Sequence, residues 1–171
     1  MESARPAGPD DVPAILAMAG LARVELLAER GGELWAVREA PPEPRDDELH
    51  RALEDEDRHL VVGELAGHPV GYGVAHVELL RDGRRLAVVS DVFVEPAFRG
   101  VAVGEAIMDT MIDWARVRCC AGIDSLVLPG MRESKNFFER YGMKARALLV
   151  HRSLVDDAAP GVDLTAGEGE G

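Results

Sequence analysis

The stretch from Leu86 to Arg118, LAVVSDVFVEPAFRGVAVGEAIMDTMIDWARVR, holds the residues whose types and spacing point to chemistry. Leu86 to Val94 is mostly apolar and β-branched, Glu95-Pro96 ends that strand, and Phe98-Arg99-Gly100 makes a turn. Beyond the turn Val103, Ile107, Met111 and Ala115 recur every four residues, widened by Met108, Ile112 and Trp114, as in a helix packed against a sheet. A helix N-terminus therefore points out of a tight turn. Its unpaired first-turn amides and the positive end of its dipole suit a phosphate group. On the preceding strand, His76 and Glu78 share one sheet face, either lining a substrate pocket or forming an exposed polar face.

The other familiar phosphate and metal signatures are missing. There is no GxxxxGK[ST] and no full GxGxxG, which disfavours an NTPase loop and a dinucleotide domain. His50, His59, His68, His76 and His151 show no HExxH or tight Cys/His spacing, so no metal is expected. Cys119 and Cys120 are adjacent, which fits neither a CxxC site nor a disulfide framework, and they read as reduced thiols near a helix end.

With 171 residues, 47% hydrophobic and 29% charged, the chain has enough apolar sequence to bury one core. Its net charge of −12 would be repelled by nucleic acid or an anionic membrane, so neither is an expected partner, and a cationic or neutral one suits it better. No apolar run is long enough for a membrane span and no basic-then-apolar leader follows Met1, so a cytoplasmic protein is expected.

These residues need elements to position them. Ser3 to Pro6 reads as a short first strand, and Gly8-Pro9-Asp10-Asp11 as a turn and N-cap for a helix that runs to about Arg30 and stops at Gly31-Gly32. Leu34 to Glu39 has no assignable pattern. Pro41, Pro42 and Pro44 mark a surface loop, and DDELHRALEDED reads as a short acidic helix with a solvated face. Two strands follow around Ala66-Gly67-His68-Pro69, and Asp82-Gly83 turns the chain into the strand from Leu86. After the central helix, Ile123 to Leu128 suits a buried strand, MRESKNFFERYG a helix closed by Gly142, and KARALLVHRSL a last strand. The sum is an α/β (α+β) fold: a mixed, mostly antiparallel central sheet with one parallel βαβ crossover, flanked by about four helices. Residues 1–154 are expected to form one domain, and 155–171 a disordered, acidic, Gly-rich tail.

Val94, Pro96, Arg99, Gly100, Val103 and Gly104, in the pattern V-x-P-x-x-R-G-x-x-V-G, resemble the acetyl-CoA loop of the GCN5-related N-acetyltransferase (GNAT) family, and FFERYGM resembles its late aromatic-x-x-x-Gly-Phe signature. The element order agrees over nearly everything before the tail. The resemblance implies acetyl-CoA as co-substrate and a primary amine of a small molecule or protein as acceptor, joined by direct attack in a ternary complex. It implies that Arg99, Gly100, Val101, Ala102, Val103, Gly104 and Glu105 hold the pyrophosphate, and that backbone groups of Val92, Phe93 and Val94 align the pantetheine as an added strand.

Three positions depart from the family pattern. Ala102 stands where a loop glycine is usual, and Ser90 where some members carry a glutamate base. Phe138 stands at the position of the tyrosine that often protonates the thiolate, so it can pack beside the thioester but has no proton to give. Asp91 is then the first candidate to take the ammonium proton, directly or through water, with His76 and Glu78 as alternatives; the other reading of Asp91 is that it ends a β-bulge. Without a tyrosine acid, a second function stands beside the transferase, an acetyl-CoA-binding sensor or interaction module. One run after the last helix stands where the family often has a hairpin, and a homodimer partner is expected to complete that wall.

Overall fold

The computed structural model describes residues 1–155. Five strands form one sheet in sequence order, β1 (Glu2–Pro6), β2 (Arg58–Leu65), β3 (His68–Leu79), β4 (Arg85–Val94) and β5 (Cys120–Ser125). The first four pair antiparallel as a meander, and β4 and β5 pair parallel across the helical crossover, as expected. The β2–β3 turn is Ala66-Gly67, both at positive φ (52° and 80°), the tight two-residue turn whose twist matches its strands.

The helices are α1 (Val12–Ala28), α2 (Gly32–Arg38), α3 (Asp46–Glu54), α4 (Val103–Val117) and α5 (Arg132–Arg140). A 3-10 turn at Pro9–Asp11 leads into α1, where Asp11 accepts from the Gly8 amide at 2.8 Å and from Arg5 of β1 at 2.7 and 2.9 Å. The Arg5 guanidinium holds the Asp11 carboxyl below the usual carboxylate range. Because Arg5 also reaches Glu64 of β2 at 2.8 Å, one cation ties the start of α1 to two strands.

The two faces of the sheet bury separate cores. On one, α1 and α3 cover Leu60, Tyr72, Val74 and Phe93. On the other, α4 lays Val103, Ile107, Met108 and Met111 against Val61, Ala75 and Val89, with α5 at its edge. Gly63, Gly71 and Gly73 make a groove under α4. A methyl group at Gly73 would lie 2.0 Å from Met111 Cε, and one at Gly63 2.7 Å from Ile107. The absence of side chains there lets the helix approach the sheet closely.

Four sequence expectations need correction. Leu34 to Glu39, without a pattern of its own, lies mostly in α2, which Gly32 opens; a methyl group at Gly32 would strike the Leu26 carbonyl at 2.1 Å. The acidic face of α3 is not all solvated, since Glu48 pairs with Arg45 and Arg58. The fifth strand is Cys120–Ser125 rather than Ile123–Leu128. Cys119, at φ 56°, turns the chain straight from α4 into the sheet, so pairing starts earlier and leaves Leu126 57% exposed. Lys144 to Leu154 is not a strand: its composition favours one, but no neighbouring strand pairs with it among the described residues. The expected acidic tail lies, but for its first residue, outside the described residues.

Candidate functional site

The loop between β4 and α4 is built to leave donors free. A 3-10 turn at Pro96–Phe98 follows β4, Gly100 takes φ 86° and Ala102 φ 63°, and α4 then begins with no side-chain cap on its N-terminus. The first-turn amides of Val103, Gly104 and Glu105 have no partner four residues back, so they are available to an anion, and the dipole favours one. Glu105, the acid in this first turn, has Arg140 of α5 3.5 Å away to offset it. Val101 is exposed at the tip.

Arg99 is fixed by its side chain. Its Nε donates to the Val94 carbonyl at 2.9 Å, its Nη2 reaches both oxygens of Glu25 on α1 at 3.0 and 2.8 Å, and its guanidinium lies 5.5 Å from the Phe93 ring centroid. The loop is thereby strapped to α1 and to the end of β4.

The edge of β4 is open where the loop meets it. β4 and β5 pair only from Arg85↔Cys120 to Val89↔Ser125, and beyond that β4 runs to Val94 with no partner on this side among the described residues. On the other side of β4 the register with β3 slips between Val74↔Asp91 and Ala75↔Val89, which leaves Ser90 as the extra residue of a β-bulge. The backbone at Val92, Phe93 and Val94 therefore presents an unpaired edge leading to the uncapped end of α4. An extended ligand whose amide-bearing arm joins a pyrophosphate matches this edge in its donors and acceptors, so the residues present fit CoA.

Asp91 points to the opposite face, into a cluster that sequence reading missed. Arg45, 5% exposed, donates from Nη1 to Asp91 Oδ1 at 2.9 Å and from Nη2 to Oδ2 at 3.1 Å. Tyr72 Oη donates to Oδ1 at 3.1 Å and Ser90 Oγ to Oδ2 at 3.0 Å. Burial alone would loosen the Arg45 proton, but the Asp91 carboxylate outweighs it and holds the guanidinium above its ordinary value. Burial, with help from Asp91, pushes the Tyr72 phenol well above its usual value. The cluster floors a small cleft walled by Ala19, Ala22 and Arg23 of α1, Trp35 of α2 and the Pro41–Glu43 loop. Arg45 is the only Lys or Arg between Arg38 and Arg51, set among prolines and acids, and that isolation was the one available signal.

The remaining candidates fall into two places. Phe138 packs in the α4–α5 core, its ring edge-on to Phe137 at 5.3 Å, and Gly104 stands against Phe137, where a methyl group would lie 3.4 Å from the ring. Tyr141 donates to the Glu105 carbonyl at 3.0 Å, and burial with the nearby acids pushes its phenol up to about 12. His76 and Glu78 contact each other at 3.3 Å, opposite Val88 and Leu86 and past the bulge from Asp91. No hydrogen bond joins them to the Asp91 cluster among the described residues.

The chain is similar to known proteins in sequence and in fold. A family model described as the Acetyltransferase (GNAT) family matches residues 24–143. A glucosamine 6-phosphate N-acetyltransferase of Trypanosoma brucei brucei is 28% identical over 119 residues, 66% of this chain and 78% of that protein. An uncharacterized N-acetyltransferase of Methanocaldococcus jannaschii is 27% identical over 97 residues, 56% of this chain but only 42% of that protein's length. Among solved structures, AAC(6')-Iy in complex with the bisubstrate analog CoA-S-monomethyl-acetylneamine superposes with a TM-score of 0.67 at 15% identity, over 90% of this chain and 97% of that one. With the matched model spanning most of the chain, the protein belongs to the GNAT acetyltransferase family.

Proposed function

We propose that the chain is an N-acetyltransferase that moves the acetyl group of acetyl-CoA to a primary amine of a small molecule or protein in a ternary complex. The observation that carries this reading is the unpaired edge of β4 running into the uncapped N-terminus of α4. Acetyl-CoA supplies the acetyl group as a thioester, which the neutral amine attacks directly. Val92, Phe93 and Val94 align the pantetheine, and the 99–105 loop receives the pyrophosphate, through backbone amides rather than the committed Arg99 guanidinium. The acceptor approaches from the cleft side, where Ser90 and Asp91 stand at the point at which β5 departs. The departing thiolate, with a thiol-like pKa of about 8.5, takes its proton from water, since Phe138 has none to give.

A second reading is an acetyl-CoA-binding module with little catalysis. It is favoured by Phe138 at the tyrosine position and by Tyr141, whose hydroxyl is tied to Glu105. Free thiol is followed with acetyl-CoA and a panel of amines, alongside calorimetry with CoA. Turnover on any amine supports the transferase, CoA binding without turnover supports the module, and no CoA binding refutes both.

Residues 1–154 act as the one catalytic domain in this reading, in the cytoplasm; no described helix is long and apolar enough to cross a membrane. A second copy covers the run after α5, where Leu148, Leu149 and Val150 are 88%, 71% and 83% exposed and Arg146 pairs with Asp124 on open-edged β5. Light scattering at dilution checks this, and a monomer mass rejects it.

A further inference from the structure

The Asp91 carboxylate is full. An ionised carboxylate offers about four acceptor positions, and Asp91 already receives two hydrogen bonds from Arg45, one from Tyr72 and one from Ser90. Arg45 and Tyr72 are buried and fixed; Glu48 lies 3.4 Å from Arg45, and Arg23 of α1 and Glu43 of the proline loop are the other charged groups lining the cleft. Ser90 differs from them: it is exposed, sits at the bulge, and begins the open edge of β4. Its single hydroxyl proton has two acceptors, Asp91 Oδ2 at 3.0 Å and the Val74 carbonyl at 3.3 Å. The shorter bond is to the charged oxygen, and charge-assisted bonds are the stronger kind. With that proton directed at Asp91, Ser90 Oγ keeps acceptor capacity that no donor among the described residues uses, on a residue that is exposed.

Resting on the transferase reading above, we infer that Ser90 Oγ is the group that meets the acceptor amine, accepting an N–H hydrogen bond, while Asp91 and Arg45 are positioning residues that hold its hydroxyl. The ammonium proton goes to water before attack, because neither a serine nor a saturated carboxylate takes it. The amine nitrogen then bonds to the thioester carbon, the carbon–sulfur bond breaks, and the second amine proton leaves to solvent as the thiolate departs. Arg45 fixes the carboxylate, the carboxylate fixes the hydroxyl, and the hydroxyl orients the amine.

The test measures acceptor KM, kcat, pH–rate profile and CoA affinity, using ethanolamine, spermidine, neamine and glucosamine 6-phosphate as probes, together with calorimetric binding of each amine to the CoA-loaded protein. Loss of one hydrogen bond in Ser90→Ala is expected to raise the acceptor KM or Kd by about 3- to 10-fold, with CoA affinity and the shape of the pH profile unchanged. Ser90→Thr, which keeps the hydroxyl, is expected to restore most of it. Asp91→Asn is expected to resemble Ser90→Ala and to keep the rise of rate with pH. Arg45→Lys is expected to lie between wild type and Arg45→Met; should the Met variant not fold, Arg45→Lys and Asp91→Asn decide. Unchanged acceptor binding in Ser90→Ala, failure of Ser90→Thr to rescue, loss of the pH limb in Asp91→Asn, or binding of no amine by the wild type overturns the inference. Loss of CoA binding in the wild type instead overturns the transferase reading beneath it.

Discussion

The His59 imidazole lies flat on the Trp114 indole, ring centroids 5.1 Å apart and planes within 4°. It joins β2 to α4, and its Nε2 is buried without a hydrogen-bond partner among the described residues. Burial, with the Arg118 charge nearby, holds its pKa down at about 4. The folded state therefore keeps His59 neutral in a range where the unfolded chain, at about 6.5, protonates it.

A depressed histidine contributes stability that is present above the unfolded value and lost as pH falls from about 6.5 toward 4. Because His59 is partly open to solvent, the expected loss is about 1–2 kcal/mol. Urea midpoints of wild type and His59→Phe between pH 7.5 and 4.5 check this: their difference should shift in favour of the Phe variant as pH drops, and parallel curves would refute it.

Gly73 and Met111 set how closely α4 approaches the sheet. Gly73→Ala, whose methyl would start 2.0 Å from Met111 Cε and 2.8 Å from Ile107, is expected to destabilise the fold by about 1–3 kcal/mol. Thermal melts show the size, and adding Met111→Ala should make the Gly73→Ala step less costly than in the parent chain.

Ala102 holds the left-handed backbone at φ 63° that glycine adopts freely. Ala102→Gly is expected to relieve about 1 kcal/mol of strain, less the added freedom of the unfolded chain, and to bind CoA at least as tightly. Ala102→Val, β-branched at the same angle, should lower the melting temperature and weaken CoA binding. Calorimetry and melts on the pair give both readouts.

Gly104 lies in the first turn of α4 against the Phe137 ring. Gly104→Glu adds bulk and a negative charge beside the amides proposed to receive the pyrophosphate, and CoA affinity should fall by more than about 100-fold while the melting temperature moves little. Unchanged CoA affinity in a folded variant would remove the pyrophosphate from this position.

Legibility in the sequence followed the range of the interactions. The strand, turn and helix from Leu86 to Val117 were readable because a run of apolar, β-branched residues and a four-residue repeat are local properties. The α2 helix was not, since seven residues opening on a glycine and mixing Glu, Arg, Leu and Val show no clear period. Lys144 to Leu154 misled because β-favouring composition says nothing about whether a partner strand exists. Cys120–Ser125 was misplaced because the left-handed Cys119 that starts it early follows from tertiary packing rather than from the cysteine itself. Arg45 was hidden for the strongest reason: burying a guanidinium depends on a carboxylate 46 residues away, and only the sheet brings the two together.

The early parting of β4 and β5 leaves the last residues of β4 with one edge unpaired among the described residues. With CoA along that edge as proposed, occupancy should slow the deuterium uptake of the outward amides from Ser90 to Val94 more than any contact to a side chain would. A ligand bound as proposed would be a sixth strand on loan, and its departure would return a stretch of the protein to solvent.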